Sequence, residues 1–403
     1  MNMMRYFLLF LFSLTWPVTL VHAASDEEAT ASLVGMGFEN VRVASSGNDT
    51  VFVAIETAGY RGTYQGAVVA LQELARLYPE TRIFRLMLLE EQTARLSLTA
   101  TCVEGQWAVL GSYDSQDIED ALHTATARNS SERKVDLTIY PMLSINDRKV
   151  GGFWEYALAV APALETSLWR GNRITLQPII PFAYNSETIN SDTYIRIGVA
   201  SIAQDVVAKD GRWDATLAGG FFHYDRVGVD LRVGYHLTPS LTVGAETSLT
   251  GEAIVRDGNY DISVPDRFSF LAKADYYDSS TQLQGQLMAG RFIFGDYGVR
   301  ADVTRHFGEY TVGIYGIATG GEWGAGFHFS VPVGPKRQVR DKVFRLRLPE
   351  YVAWEHVLAS NSKYKDENMG RNVMTRPDEN HSDHYWQPLH VAQFAERELN
   401  KGQ

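Results

Sequence analysis

The chain contains one cysteine, Cys102, in 403 residues, so no intramolecular disulfide can staple it. It lacks any internal run of the roughly 18–20 apolar residues that a membrane helix needs. Residence in a membrane would have to be as strands, because only helices and closed barrels satisfy every backbone polar group in lipid. Excess positive charge is absent as well. The net charge is −11, which argues against a nucleic-acid partner. There is no P-loop, and Gly35-Met36-Gly37 lacks the third glycine of a dinucleotide loop. No Ser-His-Asp order with a nucleophile elbow is present. Glu90 and Glu91 are adjacent, so in a strand they point to opposite faces and could not flank one glycosidic bond; a turn fits them better. No histidine partner for a catalytic thiol is visible, so Cys102 is expected to be a small core residue. A catalytic centre and a cofactor are therefore not expected from sequence motifs.

What the chain has in quantity is glycine (34), tyrosine (20), phenylalanine (19) and tryptophan (8). These suit tight turns and aromatic-rich strands. Residues 227–237 show the dominant pattern. Val227, Val229, Leu231, Val233, Tyr235 and Leu237 share one face, and Gly228, Asp230, Arg232, Gly234 and His236 share the other. After a Thr238-Pro239-Ser240 turn, Leu241, Val243, Ala245, Thr247 and Leu249 resume the alternation, opposite Thr242, Gly244, Glu246 and Ser248. The same two-residue period recurs through about residue 355. An apolar outer face over a polar inner face suits lipid outside and water inside. A soluble β-sandwich or lipocalin-like barrel alternates as regularly and stands as the alternative.

The amino terminus carries one positive charge in residues 1–5, an apolar stretch at 6–15 (YFLLFLFSLT) and a small-residue cleavage site at Val21-His22-Ala23. This predicts a secretory signal peptide over 1–23, with a mature start near Ala24. The alternative is an uncleaved anchor, which the short apolar core disfavours. No cysteine follows the cleavage site, so a lipoprotein start is not expected.

Residues 24–133 read as a small α+β domain. Residues 64–78 (YQGAVVALQELARLY) repeat apolar positions at helical spacing, with Thr63 as N-cap and Pro79 as stop. A short helix and two strands, 38–44 and 50–56, separated by a Ser46-Gly47-Asn48-Asp49 turn, precede it. Strands at 82–89, 94–102 and 107–110 and a helix at 116–127 follow. From 134 to 358 helix signals stop, and about twelve strands are expected, within the even-number rule for bacterial barrels. They fall between 135 and 334, and residues 344–355 are either one more or a replacement for a miscounted one. Residues 359–403 form a polar tail. Its first part, 360–376, reads as loosely attached, and 388–400 as a short amphipathic helix. The expected fold is thus mainly β: an antiparallel up-and-down β-barrel of the outer membrane behind a periplasmic α+β domain.

Three stretches resemble the YjbH family of exopolysaccharide-associated outer-membrane proteins. Residues 136–141 (DLTIYP), followed by 156–162 and 176–185, are similar to its first barrel strands. Residues 218–246, with Asp225-Arg226-Val227-Gly228-Val229-Asp230 and Leu241-Thr242-Val243-Gly244-Ala245-Glu246, resemble its central hairpin. Residues 290–298 (GRFIFGDYG) resemble its Gly-Arg-Tyr…Gly-Asp strand pair, and 311–320 fits a later strand. Residues 64–79 are similar to its helix-containing periplasmic domain. Family members are typically longer, with two tandem barrels and a lipoprotein cysteine; this chain resembles one half and lacks that cysteine. The resemblance implies a role in surface polysaccharide secretion, with outer-membrane lipid, the exopolysaccharide and other secretion proteins as partners. It implies no catalytic residue. A porin-like barrel without a glycan role, and a hydrolase assembling Ser and His from separate strands, are the alternatives.

If the apolar faces meet lipid, then Arg173, Arg196, Asp230, Arg232, Glu246, Lys273, Arg300, Asp302, Arg345 and Arg347 point inward. They either pair and fill the lumen or contact a polar polymer. Trp169, Tyr277 and Tyr315 are candidate sugar-stacking platforms, with membrane-interface or packing roles as the alternative. His381, His384 and His390, with Asp383, match no familiar zinc spacing and are expected to be solvated.

Overall fold

Ser25 opens the first helix, α1 (Asp26–Gly35), with a capping box: its side chain accepts from the Glu28 amide, and Glu28 returns the bond to the Ser25 amide. Acidic Asp26, Glu27 and Glu28 in the first turn complement the helix dipole. The computed structural model describes residues 24–401, except 48, 147–154, 185–192, 339, 341, 360–362, 364–367 and 378–385. The expected leader, 1–23, lies outside the described residues.

Five strands follow: β1 (Glu39–Ser46), β2 (Thr50–Glu56), β3 (Ile83–Glu90), β4 (Thr93–Val103) and β5 (Gln106–Ser112). They form one sheet in that order, with only β2–β3 parallel. That parallel pair needs a crossover, which α2 (Gly62–Leu77) supplies. Tyr64, Ala67, Val68, Leu71 and Leu74 of α2 are buried against the sheet, the face the helical spacing predicts. Its N-cap is Arg61, not Thr63, and makes no side-chain cap bond. Gly62 instead donates its amide to Glu350 Oε2 at 2.7 Å, and a Cβ there would meet Tyr351 Oη at 2.6 Å. The helix start is thus fixed by a close approach to the second sheet, which local sequence does not announce. A short helix, α3 (Gln116–Ala121), stops before the expected end at 127.

The second sheet has fifteen strands. They are β6 (Val135–Asn146), β7 (Glu155–Thr166), β8 (Asn172–Tyr184), β9 (Arg196–Val207), β10 (Trp213–Phe222), β11 (Arg226–Thr238), β12 (Leu241–Arg256), β13 (Asn259–Ile262), β14 (Arg267–Asp278), β15 (Leu283–Arg291), β16 (Tyr297–Phe307), β17 (Tyr310–Thr319), β18 (Glu322–Pro332), β19 (Phe344–Arg347) and β20 (Tyr351–Ala359). The twelve expected strands are present. Three more correct the count. β13 pairs only with β12, and the stretch expected as one further strand at 344–355 is two. Pro349 lies at the break, where its fixed φ and missing N–H interrupt a ladder.

That break determines the topology. β19 pairs in parallel with the first four residues of β6, whereas β20 pairs antiparallel with β18. The two ends of the sheet therefore belong to one stretch of chain, joined by Leu348, Pro349 and Glu350. Short connections at 208–212, 239–240, 279–282 and 308–309 gather at the rim that meets the first sheet.

Burial follows the two-residue period, inverted relative to a soluble sandwich. In β17 every second residue is buried, and the exposed set includes Val312 and Ile314. In β16 the exposed side chains are Tyr297, Val299, Ala301, Val303, Arg305 and Phe307, apolar but for Arg305 near the domain-bearing end, while Asp302, Thr304 and His306 are buried.

The tail departs most from expectation. Met369, Val373 and Thr375 are buried, so the described part of 360–376 is not loosely attached. Gly370 N donates to Asp296 Oδ2 at 2.8 Å, and Ile293 N to Arg371 O at 3.0 Å. Arg232 Nη2 donates to Val373 O at 2.7 Å, His223 N to Met374 O at 3.1 Å, and Ser201 Oγ to Thr375 O at 3.2 Å. Gly370, Arg371, Val373, Met374 and Thr375 thus touch strands or strand ends from β9 to β16, and the sheet curls around them. The chain ends in α4 (Pro388–Asn400), as expected. Its Val391, Ala392, Phe394, Ala395 and Leu399 complete the core beneath the first sheet.

Candidate functional site

The inner face is lined by charges, and they pair. Arg232 Nε lies 3.0 Å from Asp230 Oδ2 and 3.6 Å from Glu246 Oε2, and Lys273 also bonds Glu246. Arg300 reaches Asp302 at 2.8 Å and Glu355 at 2.6 Å; Arg371 of the tail takes the other Glu355 oxygen at 3.3 Å. Arg196 lies 3.6 Å from Asp225. Burying a charge without such a partner would cost several kcal/mol, roughly speaking, so pairing is what makes this face tolerable.

A second cluster joins the two sheets. Asp205 receives Arg95 at 3.1 Å, Arg173 at 3.3 Å and Arg376 at 3.5 Å; Glu90 receives Arg95 at 2.7 Å and Arg376 at 2.8 Å. First sheet, wall and tail therefore meet at two carboxylates. Burial disfavours the charged form of Glu90, but Arg376 and Arg95 outweigh it and hold its carboxyl well below the usual range. Glu91 sits at φ 50° in the β3–β4 turn, as its sequence suggests, and burial with neighbouring Glu56 raises it well above that range. Burial, reinforced by Glu39, pushes Glu56 up to about 7 even though Ser131 and Asn40 hydrogen-bond it. Arg345 and Arg347 lie at the β19 seam. Arg345 pairs with Asp136 and donates to Gln338 O at 3.0 Å; Arg347 Nε donates to Thr138 Oγ1 at 3.0 Å, and Nη1 lies 3.4 Å from Glu350.

The aromatic candidates divide. Trp169 points outward, half exposed, with Nε1 donating to Gln204 Oε1 at 2.7 Å; it is not an interior platform. Tyr277 is fully buried against His306 and His390, so it packs the seat of α4 and offers no open ring. Tyr315 is inside, but the Arg300 guanidinium lies 4.0 Å over its ring. Cys102 is half-buried in the β4–β5 hairpin and not in the core. His390 is buried in α4, contrary to the solvated reading, whereas His381, Asp383 and His384 lie outside the described residues. Among the described residues, no group of three or more His, Cys, Asp or Glu could hold a metal ion.

Between the inner face, the tail and the first sheet lies a cavity of about 450 Å³. Its wall includes Arg95, Tyr113, Asp214, His236, Thr242 and Trp386. Three of these form a line that motif searching missed, because they come from three strands. Asp214 Oδ2 lies 2.8 Å from His236 Nε2, and Thr242 Oγ1 lies 2.9 Å from His236 Nδ1. The Tyr113 ring of the first domain stacks on the imidazole at 3.6 Å. The alternation did place His236 and Thr242 on the polar face; only the register brings Asp214 to them.

No protein-family model matches the chain, and no curated protein matches it. Two solved structures align with part of the chain. Pseudomonas aeruginosa OccK11 (OpdR) aligns at 10% identity and a TM-score of 0.31, over 66% of this chain and 80% of that one. A loop L8 deletion mutant of OmpT, an outer membrane protein of Vibrio cholerae, aligns at 9% identity and a TM-score of 0.29, over 57% of this chain and 95% of that one.

Proposed function

We propose that the chain is an outer-membrane β-barrel component of exopolysaccharide secretion, closed by its own tail, that organises a periplasmic α+β domain at the membrane. The observation that carries the membrane part is the apolar outer face with aromatic side chains at both rims. Trp213, Tyr235, Tyr276, Phe307 and Tyr310 are exposed near the domain-bearing rim, and Phe182, Tyr184, Phe268, Tyr297 and Trp323 near the other. Tyr297 and Phe307 end the same strand. Ten residues at about 3.4 Å, tilted by about 40°, span about 26 Å, close to the roughly 25 Å apolar band of such barrels. The short connections on the domain side agree with periplasmic turns.

The polysaccharide part is supported by the resemblance of the strand segments to the YjbH family and by the polar, hydrogen-bonding interior. Pairing of the inner charges and the threaded tail favour an organising role over conduction. They also weigh against a porin-like reading, whose lumen would be open to ions.

Two measurements separate these readings. Purified protein in planar bilayers is expected to show no steady conductance, and a porin-like step would contradict the closed lumen. In cells, loss of the gene is expected to reduce surface polysaccharide with other outer-membrane proteins unchanged; undiminished polymer would remove the secretion role.

A further inference from the structure

We propose that Thr242, His236 and Asp214 form a nucleophilic relay that hydrolyses a short-chain carboxylic ester of a polar alcohol. The three side chains come from β12, β11 and β10, neighbouring strands of the inner face. The ladder fixes their approach: His236 is directly opposite Thr242, and Asp214 is opposite Gly234, which carries no side chain between them. A Cβ on Gly234 would meet Asp214 Oδ2 at 2.9 Å, so glycine leaves the carboxylate its space.

The hydrogen-bond directions set the tautomer. A carboxylate only accepts, so His236 Nε2 carries the proton given to Asp214 at 2.8 Å. Nδ1 is then the bare nitrogen, and the Thr242 hydroxyl donates to it at 2.9 Å. That is the arrangement a base needs to take a proton from a nucleophile, with a third group orienting the base. Tyr113, stacked on the ring at 3.6 Å, holds the imidazole plane and leaves its edge on the cavity side. Asp275 lies opposite Thr242, and Gln286 lies opposite Asp275. The Gln286 amide donates to Asp275 at 2.7 Å, so this amide and carboxylate are held together on the cavity wall beside the relay.

The chemistry balances with water alone. Thr242 Oγ1 attacks the ester carbonyl carbon while its proton passes to His236 Nδ1. The C–O bond to the alcohol breaks, and the leaving oxygen takes that proton. Water then attacks the acyl-threonine, His236 takes a proton from it, and the carboxylic acid leaves as the proton returns to Thr242. Thr242 and His236 are the catalytic residues; Asp214 is a positioning residue. The cavity, about 450 Å³, combines arginines, carboxylates and amides with Tyr113, Met288, Met374 and Trp386 on its wall, a mixture that suits the hydroxyls and ring faces of a compact polyol ester such as an O-acetylated sugar. This inference does not depend on the secretion role.

The test uses full-length protein in detergent with p-nitrophenyl acetate. Acid-quenched samples are digested and the peptide containing Thr242 is weighed. The expected result is an acetyl group on Thr242 and turnover that falls at least 100-fold in Thr242→Ala and His236→Asn. Thr242→Ser is expected to keep turnover within about tenfold. Asp214→Asn is expected to lower kcat with KM unchanged and to move the acid limb of the pH profile. Each variant is first checked for heat-modifiable gel migration. Turnover equal to the detergent blank, or turnover unchanged in a folded Thr242→Ala, overturns the proposal and leaves the line as a clasp for Tyr113.

Discussion

Asn400 both accepts from the Trp107 amide at 2.9 Å and donates to the Trp107 carbonyl at 3.0 Å. Two residues on, Glu396 accepts from the Val109 amide at 2.8 Å. The last helix thus does for the free edge of β5 what a neighbouring strand would do. An uncovered edge invites pairing with other chains, so this cover is also protection. The first domain is built from both ends of the chain, and the tail that joins them runs through the curled sheet.

Replacing Asn400 with alanine should cost about 1 kcal/mol, the worth of a typical backbone partner lost. Ending the chain at Gln387 should cost far more, because the apolar seat beneath the first sheet would open. Hydrogen exchange of the Trp107 and Val109 amides reads both effects. Exchange as slow in the truncated chain as in the full one would contradict the arrangement.

Glu56 makes the first domain sensitive to pH. Its carboxyl binds a proton more tightly in the fold (about 7) than in the unfolded chain (4.5). Its contribution is therefore complete below about 4.5 and is lost as pH rises through about 7, by on the order of 3 kcal/mol. Glu91 shifts in the same direction and Glu90 in the opposite one, so the variant isolates the residue. Thermal unfolding of the domain should fall between pH 5 and pH 8, and Glu56→Gln should flatten that slope. An unchanged slope in the variant would assign the pH dependence elsewhere.

Asp205 gathers Arg95, Arg173 and Arg376 from three parts of the molecule. Removing it leaves three buried guanidinium groups sharing Glu90. Asp205→Ala should destabilise by about 3–5 kcal/mol. Limited proteolysis should show the first domain detaching from the sheet while the sheet resists. Intact docking in Asp205→Ala would mean the apolar contacts alone hold the two together.

The strands were legible because a period of two survives any error in the ladder: Val229, Leu231 and Val233 announce an outer face without knowledge of their neighbours. Position along and across the sheet was not. Trp169 looked like a platform because its direction depends on the turn that carries it, outside the alternation. The β19–β20 switch hinges on one proline. The threaded tail was hidden for a different reason. It is anchored by only a few apolar side chains, among them Met369 and Val373, and mostly by backbone bonds to residues far away in sequence. The relay was invisible for the same reason: Asp214 and His236 meet through a register, and no local spacing encodes it.

In the proposed membrane barrel the exposed apolar faces meet acyl chains. Ile314, near the middle of β17 and 65% exposed, is the most direct reporter. With a spin label on Ile314→Cys in reconstituted bilayers, the account predicts strong relaxation by oxygen and weak relaxation by a water-soluble nickel chelate. Ile314→Arg should then destabilise by about 2–4 kcal/mol. A label relaxed mainly by the nickel chelate, in a chain that stays soluble and monomeric without detergent, would contradict it.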